Sequence, residues 1–132
     1  MSTKRAFGFD DPDLFTALTS LDDSALDELG FGVIGFGSDP EARVRRYNAF
    51  ESRHSGLPRN KVLDLPLFET VAQCMNNFMI AQRFEDALAS GASLDTKLDY
   101  VLTVRVKPTS VVLRLMAKAG APLRYVAIQW PS

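Results

Sequence analysis

Strict alternation marks the last third of the chain. Leu98, Tyr100, Leu102, Val104 and Val106 take turns with Lys97, Asp99, Thr103 and Arg105, which predicts a strand with one buried and one wet face. Two further strands, about Ser110 to Lys118 and Leu123 to Trp130, are joined by the tight turn Ala119-Gly-Ala-Pro122. Nearer the start, Phe31 to Phe36, the turn Gly37 to Glu41 and Ala42 to Tyr47 predict a first hairpin. Between the hairpins the period lengthens. Asn48 to Gly56 and Arg59 to Asp64 predict short helical segments, and Ile80, Ala81, Phe84, Ala87 and Leu88 follow the 3.6-residue repeat of one long helix. Asn76 or Asn77 caps it and Ser90-Gly91 ends it. Ahead of the first strand, Asp11-Pro12-Asp13 starts a short helix with an apolar stripe of Leu14, Phe15 and Leu18, and a second runs from about Asp22 to Leu29, stopping at Gly30. The order predicts an α+β domain: a five-stranded antiparallel sheet with helices on one face. Residues 1–30 form an N-terminal helical cap and 31–132 the core of the same single domain.

Size and charge narrow the partners. At 132 residues, with 46% hydrophobic and 23% charged positions, one core is affordable and two are not. Fifteen basic against sixteen acidic residues leave a charge of −1, which lacks the basic footprint of a nucleic-acid binder. Apolar runs such as Ser110-Val-Val-Leu are cut by charge well short of a membrane span, and Met-Ser-Thr-Lys-Arg lacks the apolar segment of a secretory signal. The expectation is a cytoplasmic protein with neither nucleic acid nor membrane as partner.

Candidate chemistry begins with the one cysteine, Cys74, in the stretch Phe68 to Phe78. A lone thiol is a buried filler, a nucleophile or an attachment point. One His and one Cys set apart give no metal cluster. A Cys74–His54 pair lacks a family signature, so no enzyme is expected. Gly30 to Gly35 imitates a phosphate loop but has no lysine and lies inside a strand. Tyr47, Glu51 and Ser55 are spaced four apart, so in a helical turn they share a face. They read either as a core tyrosine with two solvated polar neighbours, or as a phenol, a carboxyl and a hydroxyl converging in a pocket. In the second reading burial raises the proton affinity of Glu51 and leaves it neutral at pH 7.

Taken in order, Leu21-Asp-Asp, Leu29-Gly-Phe-Gly-Val-Ile34, Tyr47-Asn-Ala-Phe-Glu51, Phe68 with Val71-Ala-Gln-Cys74, Ala89-Ser-Gly91 and Pro108-Thr109 resemble the photoactive yellow proteins, members of the PAS fold class. The resemblance covers roughly residues 21 to 132. It implies a blue-light photoreceptor with p-coumaric acid (4-hydroxycinnamoyl) held as a thioester on Cys74. Its phenolate would be bonded by Tyr47 and a protonated Glu51, with Ser55 supporting the tyrosine and Phe68 and Tyr100 completing the site. Trans–cis isomerisation, proton transfer from Glu51 and loosening of the cap would then signal to a downstream protein. The chain departs from the family at Gln73, where proline is usual, at Leu57, where an arginine is common, and at Leu102, Val104 and Val106, where aromatic residues and a methionine are found. A cation on the phenol side is either missing or supplied by Arg53 or Arg59, and Val106 implies slow return to the dark state. The altered wall also favours a second reading, a PAS-type binding or interaction module holding another small molecule or no chromophore.

Overall fold

Two apolar layers sandwich the sheet, and their division follows the strand pleat. In the computed structural model, which describes residues 7–103 and 107–131, the elements run α1 (Leu14–Ser20), α2 (Asp23–Leu26), β1 (Gly32–Gly37), β2 (Val44–Tyr47), α3 (Ala49–Ser55), α4 (Ala81–Ser90), β3 (Leu94–Leu102), β4 (Thr109–Ala117) and β5 (Leu123–Gln129). Short 3-10 and π turns fill the stretch between α3 and α4. The sheet is antiparallel in the order β2-β1-β5-β4-β3. Ile34, Phe36, Leu113, Leu115, Val126 and Ile128 face the side covered by α4 and the turns. Val33, Met116, Tyr125 and Ala127, their sequence neighbours, face the N-terminal segment with Leu14, Leu18 and Leu26. Because both faces are covered, every residue of β1 is buried, and the strand reads as an unbroken apolar and glycine run.

Several boundaries depart from the sequence expectation for local reasons. β2 starts at Val44 rather than Ala42, because Ala42 adopts a left-handed φ of 51° and its carbonyl accepts from Leu67 N instead. β3 starts at Leu94, three residues before the alternation was read, since Leu94 pairs with Ala117 along the full length of β4. Val104 and Val106 lie outside the described residues. Leu88 is 51% exposed, so the buried stripe of α4 is Ile80, Ala81, Phe84 and Ala87 without it. Phe84 meets Phe36 edge-on at 4.9 Å, which anchors α4 over the sheet.

The N-terminal segment is fastened by more than its apolar stripe. Phe9 stacks edge-on with Phe31, and Phe15 with Tyr125. Arg114, 5% exposed, donates to the carbonyls of Phe9 and Asp11 and pairs with Asp95. From β2, Arg46 donates to the carbonyls of Leu18 and Leu21 and to the Tyr125 hydroxyl, and pairs with Asp23. Arg46→Met keeps the alkyl stem and removes these bonds. It is expected to open α1 and α2 by about 2 kcal/mol, close to a thirtyfold rise in their amide hydrogen exchange. The β4–β5 amides should not change; a uniform rise across the sheet would show that Arg46 stabilises the whole domain instead.

Candidate functional site

The β2–α3 junction assembles one half of the site. Tyr47 ends β2 opposite Ile34, and Asn48 caps α3 by accepting the Glu51 N–H on its side chain. Gly56, left-handed at φ 80°, terminates the helix after Ser55. The end of β2 turns Tyr47 inward and the short helix turns Glu51 and Ser55 inward, and all three are buried. The Tyr47 and Ser55 hydroxyls are 2.6 Å apart, and the Ser55 oxygen also accepts the Leu57 N–H. Glu51, 3% exposed, accepts from the indole N–H of Trp130 at 2.8 Å. Its carboxyl occupies room left by Gly32, where a Cβ would come within 2.0 Å of Oε1. The glycine that looked like part of a phosphate loop serves the carboxyl.

Burial sets the protonation here. Desolvation pushes the Glu51 carboxyl from its ordinary 4.5 up to about 8, against the opposing pull of the Trp130 hydrogen bond. The Tyr47 phenol is likewise raised, by burial first and then by the nearby Glu51 charge. Both groups are therefore neutral at pH 7 and able to donate.

Cys74 stands in the other half. A π turn, Leu67–Val71, closed by i to i+5 bonds from Val71 N to Pro66 O and Ala72 N to Leu67 O, leads into a 3-10 turn over Gln73–Met75. Gln73, standing where the resembled family has proline, fastens this turn by donating to the Glu69 carbonyl at 2.7 Å. The Cys74 carbonyl accepts from the Tyr100 hydroxyl and from Asn77 Nδ2, which also donates to Tyr100 Oη at 2.6 Å. Asn77 Oδ1 in turn accepts from Met79 and Ile80, so one side chain caps the approach to α4 and holds the cysteine backbone. The half-buried Cys74 borders a cavity of about 390 Å³ with Leu57, Val62, Val71, Gln73 and Thr103. Leu57, which lines this cavity, is tied to the other half by its N–H, bonded to the Ser55 oxygen.

The structure thus joins Tyr47 to Ser55, and Tyr100 to Cys74, but Tyr47 and Glu51 do not line the Cys74 cavity. Phe68 packs edge-on against Phe36 at 5.5 Å and borders a different cavity, with Glu85 and Arg124. Neither replacement cation points at the phenol end: Arg59 donates to the Tyr47 carbonyl and pairs with Asp27, and Arg53 lies over the Phe50 ring. His54 stacks on Phe50 with ring centroids 4.1 Å apart. Among the described residues no cluster of three His, Cys, Asp or Glu suits a metal, and no helix is long and apolar enough to cross a membrane. Trp130, Gly32, Asn48 and Asn77 were not singled out as site residues from sequence. Asn48 had a readable signal, an Asn three residues before Glu ahead of a helix.

No family model matches the chain. Among curated proteins it is 33% identical over 109 residues to the photoactive yellow protein of Halochromatium salexigens, covering 83% of each chain. It is 27% identical over 107 residues to that of Rhodothalassium salexigens, covering 81% of this chain and 83% of the relative. Among solved structures, the photoactive yellow protein domain of the sensor histidine kinase Ppr from Rhodospirillum centenum superimposes with a TM-score of 0.77 at 29% identity, over 86% of this chain and 97% of that one.

Proposed function

This chain belongs to the photoactive yellow protein family, and from that membership we propose that it is a PAS-type blue-light receptor carrying p-coumaric acid as a thioester on Cys74. When bound, that group supplies a light-driven trans–cis isomerisation and a phenolate at its far end. The residues present fit it. A half-buried thiol borders a cavity lined by Leu57, and the β2–α3 junction bonded to the Leu57 N–H holds a buried phenol–hydroxyl pair and a buried neutral carboxyl. A phenolate kept from water is costly unless charge-assisted hydrogen bonds hold it, and Tyr47 and protonated Glu51 are the donors that would do so. That presentation of two neutral buried donors across the β2–α3 junction, Tyr47 at the end of the strand and Glu51 in the first turn of the helix, is the observation that carries the reading. Tyr100 and Asn77 fix the Cys74 backbone, and Phe68 supports the turn from the aromatic core.

Glu51 is the proton source in this proposal. Once its proton leaves, a carboxylate remains in a site this buried, at a cost of several kcal/mol unless something moves. That is a large share of the roughly 5–15 kcal/mol that stabilises a domain of this size. Release of the N-terminal cap, residues 1–30, is the relief we assign. Asn48 bonds the Glu51 N–H on one side and the carbonyls of Leu26 and Phe31 on the other, so a shift of α3 reaches α2 directly. A downstream signalling protein reads the change.

The competing reading is a PAS-type module that holds another small molecule or none. It is favoured by the separation of Tyr47 and Glu51 from the cavity beside Cys74. Incubation with an activated p-coumaric ester separates the two. The purified protein is expected to turn yellow and to gain the acyl mass, and Cys74→Ala to do neither. A wild type that stays colourless and unmodified supports the binding module.

A further inference from the structure

Trp130 follows β5 directly and is the chain's single tryptophan. It lies 79 residues from Glu51 in sequence, yet the β1–β5 pairing of Gly32 with Ile128 brings it over the carboxyl. Its indole nitrogen can only donate. The oxygen it reaches, Oε1, is therefore an acceptor whether Glu51 is neutral or charged, and since the carbonyl oxygen is the better acceptor of a neutral carboxyl, this bond favours the proton on Oε2. We propose that Trp130 is a positioning residue for proton release by Glu51: it reserves Oε1 as acceptor, holds the proton on Oε2, and stays bonded to the carboxylate after the proton has gone.

The inference rests on the reading of Glu51 as proton source, but its geometry stands without a bound chromophore. A donor to a charged oxygen is roughly twice as strong as one to a neutral oxygen, so the indole favours the deprotonated state and opposes burial. The groups around Glu51 leave Trp130 this role. Tyr47 on β2 is neutral and shares its hydroxyl with Ser55 of α3. Gly32 on β1 has no side chain to offer. Arg59 is committed to the Tyr47 carbonyl and Asp27, and Arg53 lies over Phe50. His54, on α3, is tilted against the indole, with ring centroids 5.7 Å apart.

The test starts with unloaded protein, where emission from the one tryptophan reports Trp130 alone. Its intensity is expected to titrate with a midpoint near the Glu51 value of about 8 and to lose that transition in Glu51→Gln. A His54→Gln control removes the imidazole beside the indole, and Asp99→Asn and Tyr100→Phe remove the titratable groups of β3 that line the same cavity as Trp130; all three should keep the transition. The carbonyl stretch of protonated Glu51 in infrared spectra is expected to persist to higher pH in Trp130→Phe, by roughly tenfold in proton affinity. An emission transition that survives Glu51→Gln, or an infrared midpoint unmoved in Trp130→Phe, would overturn the proposal. In protein loaded with p-coumaric acid, Trp130→Phe should slow proton release from Glu51 after a flash, and an unchanged rate would also overturn it. Failure to load at all counts against the photoreceptor reading, while the unloaded titrations still decide the Trp130–Glu51 bond.

Discussion

Between pH 5 and pH 9 the unloaded protein is expected to lose several kcal/mol of stability that the Glu51→Gln variant keeps. Glu51 binds its proton more tightly folded than unfolded, since burial raises it from 4.5 to about 8. A group raised in this way contributes its full stability below the unfolded value. That contribution declines as pH climbs from 4.5 and is gone above about 8. At 1.36 kcal/mol per pH unit, the interval sets a ceiling on the order of 5 kcal/mol, which water penetration around the carboxylate reduces. Glutamine is neutral at every pH, matches the carboxyl in size, and can still accept from Trp130. Urea denaturation of both proteins at pH 5, 7 and 9 checks this, because other titrating groups cancel in the difference. Curves that stay parallel would mean that Glu51 is ionised and solvated in the folded protein, and the proton source proposed above would be lost with it.

The same residue shows what the sequence could convey. Its pairing with Ser55 was legible, because a helical turn needs only local geometry to bring i and i+4 together, whereas Tyr47 precedes the helix and faces inward from the end of β2. The sheet was legible too: β3 alternates half-buried and exposed residues, and β1, β4 and β5, covered on both faces, read as near-continuous apolar runs. What remained hidden depends on pairing between distant strands. Gly32 makes room for Glu51 only because β1 passes beneath α3, and Trp130 reaches the carboxyl only through the β1–β5 register. Leu88 fits the helical repeat as well as Phe84 does, yet α4 has the sheet on one side alone and leaves it in water. A periodic pattern selects a face but does not say how wide the covered face will be.

Asn48 separates two explanations of how α3 is held, and the size of the loss on substitution decides between them. As a helix cap alone it should be worth about 1 kcal/mol. The structure gives it more: 1% exposed, it accepts from Val33 N and Glu51 N on Oδ1, and through Nδ2 it donates to the carbonyls of Leu26 and Phe31. Asn48→Ala leaves the buried Val33 and Glu51 N–H groups without their acceptor and takes the amide donor from the carbonyls of Phe31 and Leu26, the latter keeping the Leu29 N–H. The expected cost is roughly 3–5 kcal/mol, since each unsatisfied N–H costs about 1–3 and a carbonyl somewhat less. Asn48→Ser is the informative control. A serine hydroxyl restores the capping acceptor for α3 but is too short to reach both carbonyls, so it should recover only about 1 kcal/mol in urea denaturation. Limited proteolysis should find the segment before Gly32 cleaved faster in both variants. Full recovery by serine would reduce Asn48 to a cap, and the coupling from Glu51 through Asn48 to α2 would then need another carrier. Partial recovery with a loosened N-terminal segment would place that coupling in the amide, which is bonded to both the Glu51 N–H and the Leu26 carbonyl.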